Sequence, residues 1–456
     1  MPTISGAPLD RERSYRVSRV LVLSASGPAP APKTRHRALV LGAAGGVGTA
    51  TLALLARHER GRALLANTEL LLLDALELDP RLQPLIAELG ARARWLPAQS
   101  LRSGAALAEL IAAHGVDEVI EVAHVGTWDC LRACAEGGAS YLTTCYDLWP
   151  PDKRDPSVGA MARARELFAP PDIHGGAHLL SMGMNPGLIN AMVGAAIREL
   201  AQRSGRPPSL DALELHAIVM TEKDSTRWIP GGSPDAANTL DAPDPSREFA
   251  CTWSPDAALE ELLEPRATYT AAGELAFLDH PPHRARYRAR CGHEHAEGYV
   301  VPHEELVTLG AMYPTVELAY VYEMCPSARA ALDAAPERAA DDWEQRRLYP
   351  PYADALDGDN RLGVLLCSRS LGELWLGWDT PTAAGLAFGT NAVQLQVAAG
   401  VLAGWTVQRE LEPGVWLPEE VDGEALLGVA RDVLGPFEIV WDRDAPARSL
   451  TERRLP

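Results

Sequence analysis

Apolar and polar positions along residues 38–145 follow two alternating periods. Short and almost wholly apolar runs such as Leu70–Leu73 predict buried strands, and the longer stretches between them repeat apolar residues at helical spacing. Strands that alternate with helices in this way predict a doubly wound, parallel α/β sheet. The predicted strands cover residues 38–42, 70–74, 93–97, 118–123 and 140–145, and the predicted helices cover residues 49–58, 80–89, 103–114 and 128–136.

The pattern changes in the second half of the chain. A strand over residues 178–184 ends in Asn185-Pro186-Gly187 and leads into a helix over residues 188–203. After Pro207, alternating strands and long loops rich in Pro, Asp and Gly predict a second domain of the α+β class. It includes a hairpin over residues 363–377, whereas residues 328–346 predict a surface helix or a partly disordered excursion. The predicted organisation is a tail (1–36), a dinucleotide-binding domain (37–187), an α+β substrate and dimerisation domain (188–389), and a C-terminal helix and tail (about 390–456) packed back on the first domain.

The first predicted strand runs into a glycine-rich turn, Gly42-Ala-Ala-Gly45-Gly46-Val47-Gly48, and then into a helix. In the Rossmann-type pattern the first glycine makes a tight turn, the next lets the main chain approach a pyrophosphate, and the last permits close packing of helix on strand. The phosphates would lie at the positive end of the helix. A glycine turn that binds nothing is the alternative.

An acidic residue after the second strand indicates which dinucleotide would bind. Asp74 lies 26 residues beyond Gly48 and suits a ribose 2′-hydroxyl, whereas it repels a 2′-phosphate. We therefore predict NAD rather than NADP, although Arg81 lies close enough in sequence to blur the choice.

Composition narrows the classes of partner. The 456 residues include 61 acidic and 42 basic side chains, and the net charge of −19 would repel nucleic acid or an anionic membrane and attract a cationic small molecule. Surplus acid that serves solubility alone is the alternative. Seven cysteines without framework spacing predict reduced thiols and a cytoplasmic location. The chain has no run of about 18 apolar residues, so no membrane span is predicted.

Several short segments, in order along the chain, resemble bacterial homospermidine synthases, within the wider saccharopine dehydrogenase-like group. They are Tyr141-Leu-Thr-Thr-Cys145-Tyr-Asp147-Leu-Trp149, Asn185-Pro-Gly187, Thr221-Glu222-Lys-Asp224, Thr252-Trp253-Ser254, and Asn391-Ala-Val-Gln-Leu-Gln396 with residues 399–404. The resemblance extends from about residue 38 to about residue 436.

This resemblance implies a redox-neutral reaction on amines in a homodimer. Tightly held NAD oxidises a primary amine to an imine, a second amine displaces ammonia, and the stored hydride reduces the new Schiff base. The substrate would be putrescine, a related diamine or a basic amino acid. Such chemistry needs carboxylates for ammonium groups, a π-face or an anion for the iminium cation, and a group that moves protons.

The resemblance assigns six residues to this chemistry. Trp253 corresponds to the family's active-site tryptophan, and Glu222 and Glu261 resemble its substrate carboxylates. Asp147 stands in place of a glutamate, Asn185 would bond the nicotinamide carboxamide or the substrate nitrogen, and His303 would relay protons. Most of these assignments have an alternative. Trp253 could be a core or interface tryptophan, Glu222 could form a salt bridge beside Lys223 and Asp224, and Glu261 could lie on a solvated helix face. Asn185 could belong to an ordinary Asn-Pro-Gly turn, and His303 could be a loop histidine without a special role.

Two departures from the family keep rival functions open. These are Asp147 and Cys251, which stands where the family usually has Asn. One rival is a reductase or dehydrogenase of the saccharopine or carboxyspermidine type, which consumes external NAD(P)H, and the other is a catalytically degenerate nucleotide-binding homologue. The run Cys291-Gly-His293-Glu-His295 matches no common zinc spacing and hydride transfer needs no metal, so no metal site is predicted.

Overall fold

The computed structural model describes residues 36–149, 151–152, 163–173, 175–229, 242–348 and 356–456. Residues 35–456 form one compact unit. The predicted tail lies outside the described residues except for its last position.

The described residues form two main sheets and the helices around them. The strands are β1 (His36–Leu41), β2 (Thr68–Leu73), β3 (Ala93–Trp95), β4 (Glu118–Glu121), β5 (Ser140–Thr143), β6 (Ala177–Leu179), β7 (Leu215–Asp224), β8 (Arg227–Trp228), β9 (Glu248–Cys251), β10 (Thr268–Ala271), β11 (Glu274–Phe277), β12 (Tyr287–Cys291), β13 (Glu294–Val300), β14 (Glu317–Glu323), β15 (Glu344–Arg347), β16 (Leu356–Asp357), β17 (Asp359–Ser368), β18 (Gly372–Pro381), β19 (Gly414–Trp416) and β20 (Glu438–Asp442). The helices are α1 (Gly46–Arg57), α2 (Glu59–Leu64), α3 (Gln83–Leu89), α4 (Gly104–His114), α5 (Thr127–Gly137), α6 (Leu188–Ser204), α7 (Pro255–Leu262), α8 (Glu305–Met312), α9 (Pro326–Ala334), α10 (Thr382–Ala387), α11 (Ala392–Gln408) and α12 (Gly423–Leu434).

Seven parallel strands form the first sheet, in the order β3-β2-β1-β4-β5-β6-β19. Leu39 of β1 pairs with Leu71 of β2 on one side and with Val119 of β4 on the other, and all three side chains are buried. The strand order reverses between β1 and β4, and doubly wound sheets bind ligands in the crevice at that point. The predicted fold class, a doubly wound parallel sheet followed by a second region of mixed structure, is confirmed.

The second sheet is mixed and has nine strands. Its central strand β7 runs parallel to β14 and antiparallel to β17. The predicted hairpin is present as β17 and β18, and β20 extends it. Because β7 and β14 are parallel neighbours, their carboxyl ends place Glu222 beside Tyr322.

Helix α11 connects the two sheets. It contacts strand β5 of the first sheet, strands β17 and β18 of the second sheet, and helices α1 and α12. Small residues permit this approach: a Cβ at Gly400 would lie 2.0 Å from the carbonyl oxygen of Gly183, and one at Gly404 would lie 2.2 Å from the side chain of Met182. The domain boundaries stay a prediction, since the chain from residue 35 forms one compact unit.

Two elements differ from their predicted extent. Strand β6 ends at Leu179 rather than at residue 184, because Ser181 adopts a left-handed φ of 55°. The segment 328–346 is neither one helix nor an open excursion: α9 ends at Ala334 and β15 begins at Glu344. Buried Trp343 explains the strand, because its ring lies 6.2 Å from that of Phe249 and docks the segment beside β9.

No helix in the described ranges is both long and apolar enough to cross a membrane.

Candidate active site

A cavity of about 970 Å³ opens at the carboxyl ends of β1, β4 and β5 and extends to the second sheet. All the residues predicted to bind cofactor or substrate line it, except Gly48. We call the part formed by residues 42–47 and Asp74 the nucleotide end. The part formed by Glu222, Trp253, Glu261, His303 and Glu304 is the acid end.

The nucleotide end is made of backbone. Gly42 has a φ of +83°, and a Cβ there would lie 2.8 Å from the carbonyl oxygen of Val122. Helix α1 begins directly after Gly45, which caps it without a side-chain hydrogen bond, and the first turn contains no acidic residue. The first N–H groups of a helix so capped are available to an anion.

Two further glycines serve packing. A Cβ at Gly48 would lie 2.2 Å from the carbonyl oxygen of Gly42, so this residue allows α1 to pack against the turn that follows β1. A Cβ at Gly46 would lie 2.2 Å from Nε2 of Gln394, the first-turn residue of α11. Gln394 also donates to the carbonyl oxygen of Thr252, at 3.1 Å. One amide thus connects the glycine turn to the residue before Trp253.

Asp74 follows β2 and holds the glycine turn from the side. Its Oδ2 accepts a hydrogen bond from the backbone N–H of Ala44 at 2.8 Å, and its Oδ1 accepts one from Leu76 at 3.0 Å. A carboxylate has further lone pairs for a ribose hydroxyl. Arg81, which blurred the cofactor prediction, is paired with Asp79, whose Oδ1 accepts from its Nε at 3.0 Å.

Glu222 is buried at the acid end, on β7. Its Oε2 accepts hydrogen bonds from Tyr320 and, at 3.2 Å, from Nδ2 of Asn185. Burial raises the pKa of Glu222 to about 7, against the opposing effect of the Tyr320 hydrogen bond. Neighbouring Lys223 points to the other face of the sheet and pairs with Glu294, so the salt-bridge alternative for Glu222 does not hold.

His303 lies between two carboxylates. Its Nδ1 is 3.0 Å from Oε2 of Glu305, and its Nε2 is 3.6 Å from Oε1 of Glu261 on α7. Burial alone would lower the pKa of His303, but Glu305 and Glu261 outweigh that effect and raise the pKa to about 10. Burial raises the pKa of Glu261 to about 8, although His303 opposes the shift. Glu261 therefore faces His303 rather than lying on a solvated helix face.

Glu304 connects the two sheets. Its Oε1 accepts from the backbone N–H of Tyr146 at 2.7 Å, and its Oε2 accepts from the hydroxyl of Ser181 at 2.7 Å. Burial raises the pKa of Glu304 to about 8. The acid end therefore contains one buried carboxyl, Glu222, and two partly buried ones, Glu261 and Glu304, and all three are harder to ionise than a glutamate in water.

Trp253 lies between β9 and α7 and is partly exposed to the cavity. Its Nε1 donates to the hydroxyl of Tyr322 at 3.0 Å, and the Tyr322 ring stacks on that of Tyr320 at a centroid distance of 6.1 Å. Buried Cys251 donates a long hydrogen bond of 3.5 Å to the carbonyl oxygen of Trp253. The Tyr322 hydroxyl thus holds the indole, and Cys251 holds the backbone of the same residue.

Asp147 is buried after β5, between the two ends of the cavity. Its Oδ1 accepts from the backbone N–H of Leu148 at 2.8 Å, and its Oδ2 lies 3.0 Å from Nδ1 of His124. On the other side of that imidazole, Nε2 lies 3.4 Å from the hydroxyl of Ser254.

The Cys291–His295 run is divided between two environments. Cys291 is buried, with its Sγ 3.4 Å from the carbonyl oxygen of Arg361, whereas the His293 side chain is 78% exposed and lies 3.2 Å from Glu438. Within the described ranges, no three His, Cys, Asp or Glu side chains are grouped as metal ligands.

Four residues of the site were not predicted from the sequence: His124, Glu304, Tyr320 and Tyr322. Tyr320 and Tyr322 alternate along a strand, and a period of two indicates a shared face. His124 follows the strand next to β1, where the carboxyl ends of doubly wound sheets carry ligands. Both signals were present in the sequence, but neither identified the facing partner.

Comparisons with known proteins concern the first sheet and the overall fold. Residues 38–167 match the family model described as the saccharopine dehydrogenase NADP binding domain. No curated protein sequence matches this chain.

Solved structures extend the likeness over most of the chain. The homospermidine synthase of Legionella pneumophila, in complex with NAD, is similar with a TM-score of 0.71 and 20% identity, over 90% of this chain and 92% of that one. GenD2 from gentamicin A biosynthesis, in complex with NAD, matches with a TM-score of 0.36 and 12% identity, over 91% and 96% of the two chains. The likeness to the Legionella pneumophila homospermidine synthase is a likeness of fold. The predicted resemblance is confirmed for the fold, which is similar to that of a homospermidine synthase, and for residues 38–167, which match a saccharopine dehydrogenase family model.

Proposed function

We propose that the chain is an NAD-dependent, homospermidine synthase-like enzyme. It oxidises a primary amine to an imine, exchanges the imine with a second amine as ammonia leaves, and reduces the Schiff base with the retained hydride. The observation that carries this proposal is one cavity that joins the glycine turn and the start of α1 to a tryptophan and three carboxyls with raised pKa values. We expect putrescine, a related diamine or a basic amino acid as substrate, a homodimer as the assembly and the cytoplasm as the location.

The nucleotide end fits a dinucleotide. The uncapped start of α1 can accept a pyrophosphate, and the glycines keep side chains out of its path. The family model is described as NADP-binding, but the Asp74 carboxylate would lie beside a 2′-phosphate as a second anion, which supports NAD. Bound here, NAD supplies a hydride acceptor that later becomes the donor.

The acid end fits a cation. Burial of Glu222, Glu261 and Glu304 raises the pKa of each carboxyl to between about 7 and about 8. An ammonium group among them would favour the ionised forms and form charge-assisted hydrogen bonds. The Trp253 face stabilises a passing iminium cation, by about 0.5 to 2 kcal/mol in typical sites.

The side-chain amide of Asn185 is oriented so that its oxygen can take part in this chemistry. Its Nδ2 is used by Glu222 and Tyr320, so its orientation is set by buried partners. The amide oxygen is then left to accept an N–H from the substrate or from a carboxamide.

A deuterium-retention assay tests the proposal. Purified protein is denatured and the supernatant is assayed for NAD, and native protein is incubated with pairs of amines while ammonia and condensation products are followed by mass spectrometry. With putrescine deuterated at the oxidised carbon, we expect stoichiometric NAD, ammonia release without added cofactor, and full retention of deuterium in the product. The Trp253→Ala variant should retain NAD and lose turnover.

Two other outcomes would overturn the proposal in different directions. Turnover that depends on added NADPH and on an aldehyde or keto acid would establish reductive amination of the saccharopine or carboxyspermidine type. Bound NAD with no ammonia release from diamines or basic amino acids would establish a nucleotide-binding protein without this chemistry.

A further inference from the structure

The proposed reaction needs a group that removes a proton from an ammonium ion before hydride transfer. An ammonium nitrogen has no lone pair, so the adjacent carbon cannot release a hydride until one proton has left. His303 is unsuited to this step. Both of its ring nitrogens face carboxylates, and the opposing charges keep the imidazole protonated at neutral pH.

His124 has the opposite environment. Its side chain is 41% exposed, whereas its partner Asp147 is 5% exposed, so the imidazole reaches into the cavity from a buried anchor. Because the Asp147 carboxylate can only accept, Nδ1 carries the hydrogen of their 3.0 Å bond. In the neutral ring, Nε2 then has the free lone pair. That nitrogen faces the Ser254 hydroxyl at 3.4 Å, a long contact that a substrate nitrogen can replace.

The backbone places His124 where the two ends of the cavity meet. The preceding residue, Ala123, touches the glycine turn, since a Cβ on Gly42 would lie 3.0 Å from the Ala123 side chain. On the other side, Ser254 is the residue after Trp253. Glu121 at the end of β4 interacts electrostatically with both Asp147 and His124, and Glu260 and Arg163, which pair with each other, line the same cavity.

We propose that His124 is the catalytic base of the amine-oxidation step and that Asp147 is its positioning residue. This inference rests on the proposed function. Nε2 of His124 takes one proton from the substrate ammonium and leaves a neutral amine. The adjacent carbon could then give a hydride, with its electron pair, to a nicotinamide held at the nucleotide end, and the amine would become an iminium ion. After reduction of the Schiff base, the imidazolium returns its proton to the secondary amine product. Asp147 is thereby assigned to the imidazole rather than to a substrate ammonium.

Chemical rescue tests the catalytic role. We expect His124→Ala to lose about 100-fold or more in kcat, the usual size of a general-base contribution, with KM little changed, and to regain activity as imidazole is added. His303→Ala is the matched control: it should lose activity that imidazole does not restore, because both ring nitrogens of His303 face carboxyls and neither offers a lone pair to the substrate. Full activity in His124→Ala, or equal rescue of both variants, would overturn the assignment.

An NMR measurement tests the pairing independently of turnover. Nitrogen-15 shifts of the His124 ring should show the Nδ1–H form in the wild type and a shift in tautomer balance in Asp147→Asn. An unchanged balance would overturn the positioning role, even if the two variants differ in stability. A wild-type protein that releases no ammonia, yet shows the expected ring form, would instead refute the proposed function.

Discussion

At the nucleotide end of the cavity, one short stretch of backbone and a single carboxylate form the surface, whereas the acid end combines side chains from β7, the connection between β9 and α7, α7 itself and the loop before α8. The first depends on backbone conformation and close packing, in which a single added carbon would collide with a carbonyl oxygen. The second depends on burial, which makes carboxyls hard to ionise until a cation arrives. A substitution at the nucleotide end should therefore change the stability of the protein, whereas one at the acid end should change its affinity for a cationic ligand.

The largest effect is expected at Gly48. In Gly48→Ala the new Cβ would overlap the carbonyl oxygen of Gly42, so we expect the free energy of unfolding to fall by about 3 kcal/mol and NAD binding to be lost. The matched control is Gly428→Ala in α12, where nothing lies within 4 Å of the new Cβ. Stability there should be unchanged or higher by up to about 1 kcal/mol, as alanine favours helix. Equal losses in both, measured by denaturant unfolding, would refute the packing argument.

At the acid end, Glu222→Gln should leave the fold intact and weaken ligand binding. Loss of a buried partner for an ammonium group costs about 2 to 3 kcal/mol, or about 100-fold in the Kd for putrescine. The Kd for NAD should stay the same. Lys223→Gln is the control, since Lys223 lies one position along the strand but pairs with Glu294 on the other face. Calorimetric titration of both ligands distinguishes the two ends, and a parallel loss of NAD affinity in Glu222→Gln would contradict their separation.

Stability should depend on pH at the acid end. Glu222, Glu261 and Glu304 have pKa values raised from 4.5 to about 7, about 8 and about 8, so the folded protein holds their protons more tightly than the unfolded chain. Their stabilising contribution is complete below pH 4.5 and is lost as pH rises through 7 to 8. Between pH 4.5 and about pH 8 we expect the free energy of unfolding to fall by at least about 1.4 kcal/mol, which is the equivalent of one pKa unit.

Putrescine should restore that stability at pH 8, because a dication replaces the protons. The Glu304→Gln variant, which has one titrating group fewer, should show a shallower pH dependence. Unfolding curves at several pH values, with and without the diamine, would contradict the argument if stability rose towards pH 8 in the free protein.

The smallest effect concerns Asp74. In Asp74→Asn the repulsion of a 2′-phosphate is removed, and we expect the ratio of the Kd for NADP to that for NAD to fall about tenfold, or about 1.4 kcal/mol. Arg81→Ala should leave the ratio unchanged, because Arg81 is bound to Asp79. If Arg81→Ala weakened NADP binding selectively, the choice of cofactor would depend on that arginine instead.

The glycine turn and the alternation of strands and helices lie within a few residues of their predicted places, because φ preferences and apolar periodicity act over short distances. Contacts between segments that are distant in the sequence were not predicted. Tyr320 bonds Glu222 across 98 positions of the chain, and the contact depends on the register between β14 and β7. The roles assigned to the predicted site residues stay predictions until the variants above are measured.

By itself, the sequence determined a parallel sheet with a glycine-rich turn at the start of a helix, and the presence of a tryptophan and acids that resemble those of an amine-handling family. Only the tertiary structure decided that His303 is enclosed by carboxylates while His124 is turned towards the cavity by Asp147. The physical reason is that ionisation responds to burial and to neighbouring charge, and both are set by where separate segments of the chain come together.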